Sequence, residues 1–194
     1  MKILYITKSE KRVKEFKEIF KKHNDSVVTI DSLFDLEYDV VTNALTRDIE
    51  ANAKKIVNTI WKKEKDNYDY VMADGYGLFS DYAPNILGVD SDSWWPGTQR
   101  DRNEALVNLF TGAKDRKIYY KAVYVAMDKA GKVYDSTGYL YGYLARKVKE
   151  KNGEFYDSVF ITKDDKHLSY YTPEEIEKMS ARTMAITNLI SKIK

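Results

Sequence analysis

The chain has 194 residues, 43% hydrophobic and 32% charged, with 32 basic against 30 acidic side chains and a net charge of +2. That length suits one domain with a substantial core, and so even a balance gives no bulk-charge argument for nucleic acid or an anionic membrane as partner. The absence of cysteine excludes disulfides and thiolate metal sites, and two histidines, His23 and His167, leave little for a His-built metal site or a Ser-His-Asp triad.

The opening MKILYITKSEKRVKEF turns charged too soon for a signal peptide, and no run approaches the ~20 apolar residues of a membrane helix. A cytoplasmic protein is expected. Residues 2–7, KILYIT, read as a buried strand. SEKRVKEFKEIFKKH follows with Val13, Phe16, Ile19 and Phe20 at helical spacing and Ser9 as N-cap. SVVTIDSL reads as a second strand. The stretch from Thr46 to Asp66 reads as a second helix with Ile49, Ala53, Ile56, Val57 and Ile60 on one face. YDYVMAD reads as a third strand that ends on Asp74 and then turns through Gly75 and Gly77. TQRDRNEALVNLFTG is a third helix stopped by Gly112. KIYYKAVYVAMD and KVYDSTGYLYGYLARKV read as long antiparallel strands joined by a turn at Asp128–Gly131. DSVFIT is a further strand. Residues 172–194 read as one last helix, with Thr172 as cap, Pro173 at the first position and Glu175 completing a capping box. The order predicts an α/β fold on a mixed sheet, in one domain over residues 1–194.

Four places carry chemistry. The first strand-to-helix turn holds Thr7, Ser9, Lys11 and Arg12, and a helix N-terminus with hydroxyls and cations suits phosphate. An ordinary capped surface helix reads the same way. Asp74 lies where open α/β sheets bind ligands, although an aspartate is also a common turn former. Phe155 and Tyr156 precede Asp157, so an aromatic face could stack a base and a carboxylate accept from a purine N1–H; a loop entering a strand looks alike. Ser180 and Arg182, placed inside the last helix, could donate to a carbonyl or a phosphate, or sit on a solvated face.

Taken in order, these segments resemble the inosine triphosphate pyrophosphatase family, which hydrolyses non-canonical purine triphosphates. The matching stretches are Thr7-x-Ser9-x-x-Arg12, Glu50-Ala51-Asn52-Ala53-Lys54-Lys55, Ala73-Asp74-Gly75-Tyr76-Gly77-Leu78, Gly88-Val89-Asp90-Ser91-Asp92-Ser93-Trp94, Phe155-Tyr156-Asp157-Ser158 and Ser180-Ala181-Arg182. The resemblance implies a long mixed sheet flanked by helices, two lobes with a nucleotide cleft between them, and Mg²⁺ held by Asp74, Glu37 and Glu50. It implies phosphate contacts from Thr7, Ser9, Lys11, Arg12 and Lys55, and base contacts from Phe155, Tyr156, Asp157, Ser180 and Arg182. The chain departs from the family pattern at Ser9 for an asparagine, at Arg12 for a lysine, at the second catalytic acid, which is Gly75 here, at Tyr76 for a serine, at Ser93 for an arginine and at Ala181 for a histidine. These losses fall on phosphate and water handling. The expectation is a module that binds a dITP, ITP or XTP-type nucleotide with impaired hydrolysis, as a homodimer or as the sensor subunit of a complex with an effector protein; an anti-phage defence complex is one such setting. The exposed aromatics Trp94 and Trp95 would then belong to the partner interface. The alternative is an active Mg²⁺-dependent pyrophosphohydrolase releasing a monophosphate and pyrophosphate, with Asp90 or Asp92 replacing the lost acid. A third reading has Tyr76 filling the site and no nucleotide bound.

Overall fold

The computed structural model describes residues 1–7, 9–23, 29–32, 46–149 and 155–193. Its elements run β1 (Lys2–Ile6), α1 (Glu10–His23), β2 (Thr29–Ser32), α2 (Ile49–Glu64), β3 (Tyr70–Phe79), α3 (Gln99–Leu109), β4 (Lys117–Asp128), β5 (Val133–Leu144), β6 (Phe160–Ile161), α4 (Pro173–Met179) and α5 (Ala181–Lys192), with short 3-10 turns at Gly88–Asp90 and Leu168–Tyr170. The strands form one six-stranded sheet in the order β2-β1-β3-β4-β5-β6. β1 is parallel to both β2 and β3, while β5 and β6 are antiparallel, so the sheet is mixed as the element order requires.

The chain divides into two compact units. The first comprises Met1–Gly75, Ala122–Gly138 and Arg182–Lys194; the second comprises Tyr76–Lys121 and Tyr139–Ala181. In the first unit, α1 buries Phe16, Ile19 and Phe20, the stripe its spacing announces. They pack with Ile3, Leu4 and Tyr5 of β1 in one core, and Tyr5, Phe16 and Tyr124 form an aromatic trio with centroids 5.2–6.1 Å apart. α2 starts on Asp48, whose carboxylate accepts from the backbone N–H of Glu50 and Ala51. Asn52, buried in that helix, accepts from the Thr46 N–H and donates to the Thr46 carbonyl, which pins the chain entering α2. In the second unit, α3 is capped by a reciprocal Thr98–Asp101 box, and the core gathers Leu78, Leu106, Phe110, Tyr120, Tyr156 and Phe160.

Two expectations need correction. The third strand does not stop at Asp74 and turn: β3 continues for ten residues to Phe79. Its glycines serve close approach instead of a turn. A Cβ at Gly77 would run into the backbone carbonyl of Gly88, and one at Gly75 would lie 2.8 Å from Ile49 Cβ and 3.0 Å from the Ile49 carbonyl oxygen. The last helix is two helices. Ser180 takes an extended backbone (φ −62°, ψ 134°) between α4 and α5, a conformation suited to a residue flanking a helix start, and serine is a preferred residue there. Ser180 therefore lies outside both helices and Arg182 is in the first turn of α5. The Thr172–Glu175 capping box with Pro173 is present as read.

Gly75→Asp, which would restore the family's second acid, should destabilise the fold by about 1–3 kcal/mol in urea unfolding because the side chain overpacks against Ile49. It should bring no gain in pyrophosphate release. A stable, active Gly75→Asp protein would contradict this reading of the strand.

Candidate functional site

The Asp74 carboxylate occupies a polar pocket in the first unit, its side chain only 2% exposed. A buried carboxylate needs partners for both oxygens, and it has them. The Tyr5 hydroxyl donates to Oδ1 at 2.8 Å, and the Arg12 guanidinium donates to Oδ2 at 3.1 Å. Tyr5 comes from β1 and Arg12 from the first turn of α1, so a strand-to-helix connection delivers both. That turn is shaped by its hydroxyls: Thr7 Oγ1 accepts from the Ser9 N–H at 3.2 Å, and Ser9 Oγ accepts from the Arg12 N–H at 3.3 Å, the cap read from the sequence. Both O–H groups keep their donor capacity for an incoming anion.

A second ion pair lies in the same unit. Arg182 meets Glu15 at 2.5 Å. Burial pushes the Glu15 carboxyl above its usual range, with Arg182 working against that shift. Burial disfavours the Arg182 charge, but Tyr124, Glu15 and Asp74 outweigh it and hold the guanidinium above its ordinary pKa. The nearby charge of Asp74 does the same for Arg12. Tyr5 is driven well above an ordinary phenol by burial and by Asp74, and burial pushes Tyr124 up to about 12. The tyrosines stay neutral and both arginines stay charged across the physiological range.

These residues do not fit a metal held by several acids. Glu50 forms an ion pair with Lys54 at 2.5 Å on the surface of α2. Position 75 carries no acid, and because successive strand residues face opposite sides of a sheet, an acid there would point away from Asp74. Glu37 lies outside the described residues. Among the described residues no three acids or histidines gather into a possible metal site. The Asp74 carboxylate has a guanidinium where a cation would stand.

The second unit holds the aromatic stretch. Tyr156 is fully buried: its hydroxyl donates to the Ser91 carbonyl and accepts from Trp94 Nε1 at 2.7 Å, and burial pushes its pKa up to about 12. It is a structural post beneath the loop, so its ring is not available to stack a ligand. Phe155, half-buried with a positive φ of 55°, carries the ring of the pair that remains accessible. Asp157 Oδ1 accepts from the Tyr120 hydroxyl at 3.4 Å, and that hydroxyl accepts from the Tyr156 N–H. Ser158 Oγ accepts from Asn103 at 2.7 Å. Tyr76 stacks on Tyr120 (5.4 Å, 10°) and leans on Phe155 at 5.9 Å, so it belongs to an aromatic wall. Trp94 is half-buried behind Tyr156 and is not an exposed interface residue; Trp95 is 45% exposed.

The structure thus brings Thr7, Ser9, Arg12 and Asp74 together, and separately Phe155, Asp157 and Tyr76. Arg182, expected with the base-side group, belongs to the first unit beside Glu15. Lys55 is exposed on α2, with no ion pair to a described residue, and Lys11 is exposed on α1. Sequence reasoning missed Tyr5, Glu15 and Tyr120. Glu15 carried one signal, its i, i+3 spacing from Arg12 on the same helix face; the two tyrosines looked like ordinary strand residues.

A mixed α/β sheet with hydroxyls and cations at its first strand-to-helix turn, and an aromatic-carboxylate pair elsewhere, is the outline of a nucleotide-handling fold. The sequence pattern of the Ham1 family matches residues 3–192, and the chain belongs to that family. It is 28% identical to the dITP/XTP pyrophosphatase of Caldanaerobacter subterraneus, over 97% of this chain and 94% of the relative, and 28% identical to that of Clostridium perfringens, over 100% and 97%. The Ham1 protein of Staphylococcus aureus superposes with a TM-score of 0.84 at 21% identity, covering 100% of this chain and 98% of that one. The Ham1 protein of Coxiella burnetii gives 0.85 at 19% identity, with the same coverage. The expected fold class is borne out.

Arg12→Met should destabilise the protein by about 1–3 kcal/mol in urea unfolding, because it strands a buried charge. The same substitution in an Asp74→Asn background should cost clearly less. Equal costs in the two backgrounds would show that the pair is not coupled.

Proposed function

We propose that this protein binds a non-canonical purine nucleoside triphosphate of the dITP, ITP or XTP type and hydrolyses it poorly or not at all. The dITP/XTP pyrophosphatase relatives supply the ligand class. The observation that carries the impairment is the Asp74 carboxylate, whose two oxygens are taken by Tyr5 and Arg12 and whose strand neighbour at position 75 is glycine. Hydrolysis of a phosphoanhydride needs a positioned water and neutralisation of developing charge. Arg12 can help with the charge, but Asp74 is already engaged by two partners and position 75 has no acid to position the water. Removing one well-placed electrostatic group commonly costs ~10²–10³ in turnover.

Binding can outlast that loss. Thr7, Ser9 and the N-terminus of α1 offer hydroxyls and backbone donors to phosphate, and Arg12, Lys11 and Lys55 add cations. On the base side, Asp157 accepts from a hypoxanthine or xanthine N1–H and Phe155 stacks, with Tyr76 closing the aromatic wall. Adenine has no N1–H and would leave Asp157 without its donor. Ser180 joins the base-side group in this reading, whereas Arg182 stabilises α1 through Glu15. The chain works as one two-lobed domain in the cytoplasm, as a homodimer or as a sensor subunit whose bound nucleotide switches a separate effector. The relatives' names favour the alternative of an active pyrophosphohydrolase, and one assay separates the two.

Calorimetry with dITP, in Mg²⁺ and in EDTA, should show binding in both buffers, and pyrophosphate release should be absent or far below enzyme-like turnover. Efficient release that Asp74→Asn abolishes would establish the hydrolase instead. No binding in either buffer would mean that Tyr76 blocks the site.

A further inference from the structure

The second unit has a cavity of about 800 Å³ that the proposed nucleotide site does not use. Among the described residues its wall gathers Lys114, Arg116, Lys117, Arg146, Lys147 and Lys149, with His167, against a single acid, Asp115. In a chain whose net charge is only +2, that is a strong local concentration of one sign. Asp115 does not relieve it: its carboxylate accepts from the Lys117 backbone N–H at 2.9 Å and faces the Lys117 ammonium at 3.7 Å. Lys114, Arg146, Lys147 and Lys149 make no ion pair with a described residue.

Arg116 fixes the geometry. Its guanidinium donates to the carbonyls of Phe110 (2.5 Å), Leu144 (3.0 Å) and Ala145 (2.7 Å). It therefore ties the end of β5 to the segment before β4 and holds Arg146 next to itself. Backbone hydrogen bonds hold the Arg116 cation within the field of Arg146, and the repulsion between the two favours a bound anion. Burial, and then Arg146, lower the Arg116 pKa, in keeping with an uncompensated positive field. His167 Nδ1, 3.0 Å from the Ser158 carbonyl, must donate to it, which leaves Nε2 as the second ring nitrogen.

We propose that this cavity is a second anion site, for a small molecule carrying several linked phosphate groups. Phosphate suits it because arginine forks and lysine ammoniums are its usual protein partners, and one phosphate would leave most of the space and charge unused. The oligophosphate is either free or the tail of a nucleotide. For the latter, Tyr143, 48% exposed on the wall, offers a ring to stack on.

The test is calorimetric titration of the full chain with inorganic triphosphate at low salt. Wild type should bind, more weakly as salt rises. Arg146→Ala/Lys147→Ala should bind about tenfold more weakly or worse, since charge-assisted contacts to phosphate are the strong ones. Lys17→Ala/Lys62→Ala, which removes the same charge from exposed positions on α1 and α2, should bind like wild type. Both altered positions in the cavity are exposed, so thermal melting should confirm that neither variant is unfolded. Tighter binding of ATP than of inorganic triphosphate, lost on Tyr143→Ala, would identify a nucleotide; equal binding of the two would identify free oligophosphate. Either supports the site. No binding to wild type, or equal weakening in the two double variants, overturns it. So does a single-stranded RNA that binds this face far more tightly than inorganic triphosphate, because the occupant would then be a nucleic acid.

Discussion

A carboxylate shut away from water must be matched on both oxygens, and that requirement at Asp74 organises the first unit. Tyr5 reaches it from β1 and Arg12 from the first turn of α1. The same Tyr5 ring packs on Phe16 and Tyr124, so the polar contact and the aromatic core share a side chain. Removing Asp74, Arg12 or Tyr5 therefore disturbs charge balance and packing together. Glu15 and Arg182 add a second ion pair to this unit, bringing α5 onto α1.

Hydrolysis of a phosphoanhydride through this strand acid would need the carboxylate free. Here that acid is spent on a structural ion pair, and its neighbour is glycine because Ile49 leaves no room for a side chain. The two departures belong together. With one acid instead of two, an unpaired Asp74 would be a buried charge without compensation, and Arg12 supplies the compensation from the position where the family pattern has lysine. Arginine holds a carboxylate through a rigid planar fork and loses its proton less readily than lysine. The result is a pair in which Arg12 and Asp74 offset one another's charge, beside a turn whose Thr7 and Ser9 hydroxyls keep their donors.

Much of the fold was legible because helix caps and apolar spacing are local. Ser9 and the Thr172–Glu175 box with Pro173 stand where the residue types place them. Two features were not legible because they depend on distant partners. Gly75 and Gly77 look like a turn pair in the sequence, yet they are strand residues whose missing side chains admit Ile49 and Gly88. Residues 172–192 have helical composition throughout, and only Ser180 hints that the helix breaks there. The candidate site divided in the same way. Residue types at Arg12, Asp74 and Asp157 announced polar chemistry. Whether Asp74 is free or paired, and whether Tyr156 faces a ligand or the core, depended on tertiary contacts from Tyr5, Ser91 and Trp94.

Asp74 has Arg12, and not a metal, as its cation. Titrating the nucleotide-free protein with Mn²⁺ and reading free ion by electron paramagnetic resonance tests that directly. The wild type should show no stoichiometric Mn²⁺ site and no difference on Asp74→Asn. A tight one-to-one site that Asp74→Asn removes would contradict it, and would return the protein to the working hydrolases of its family.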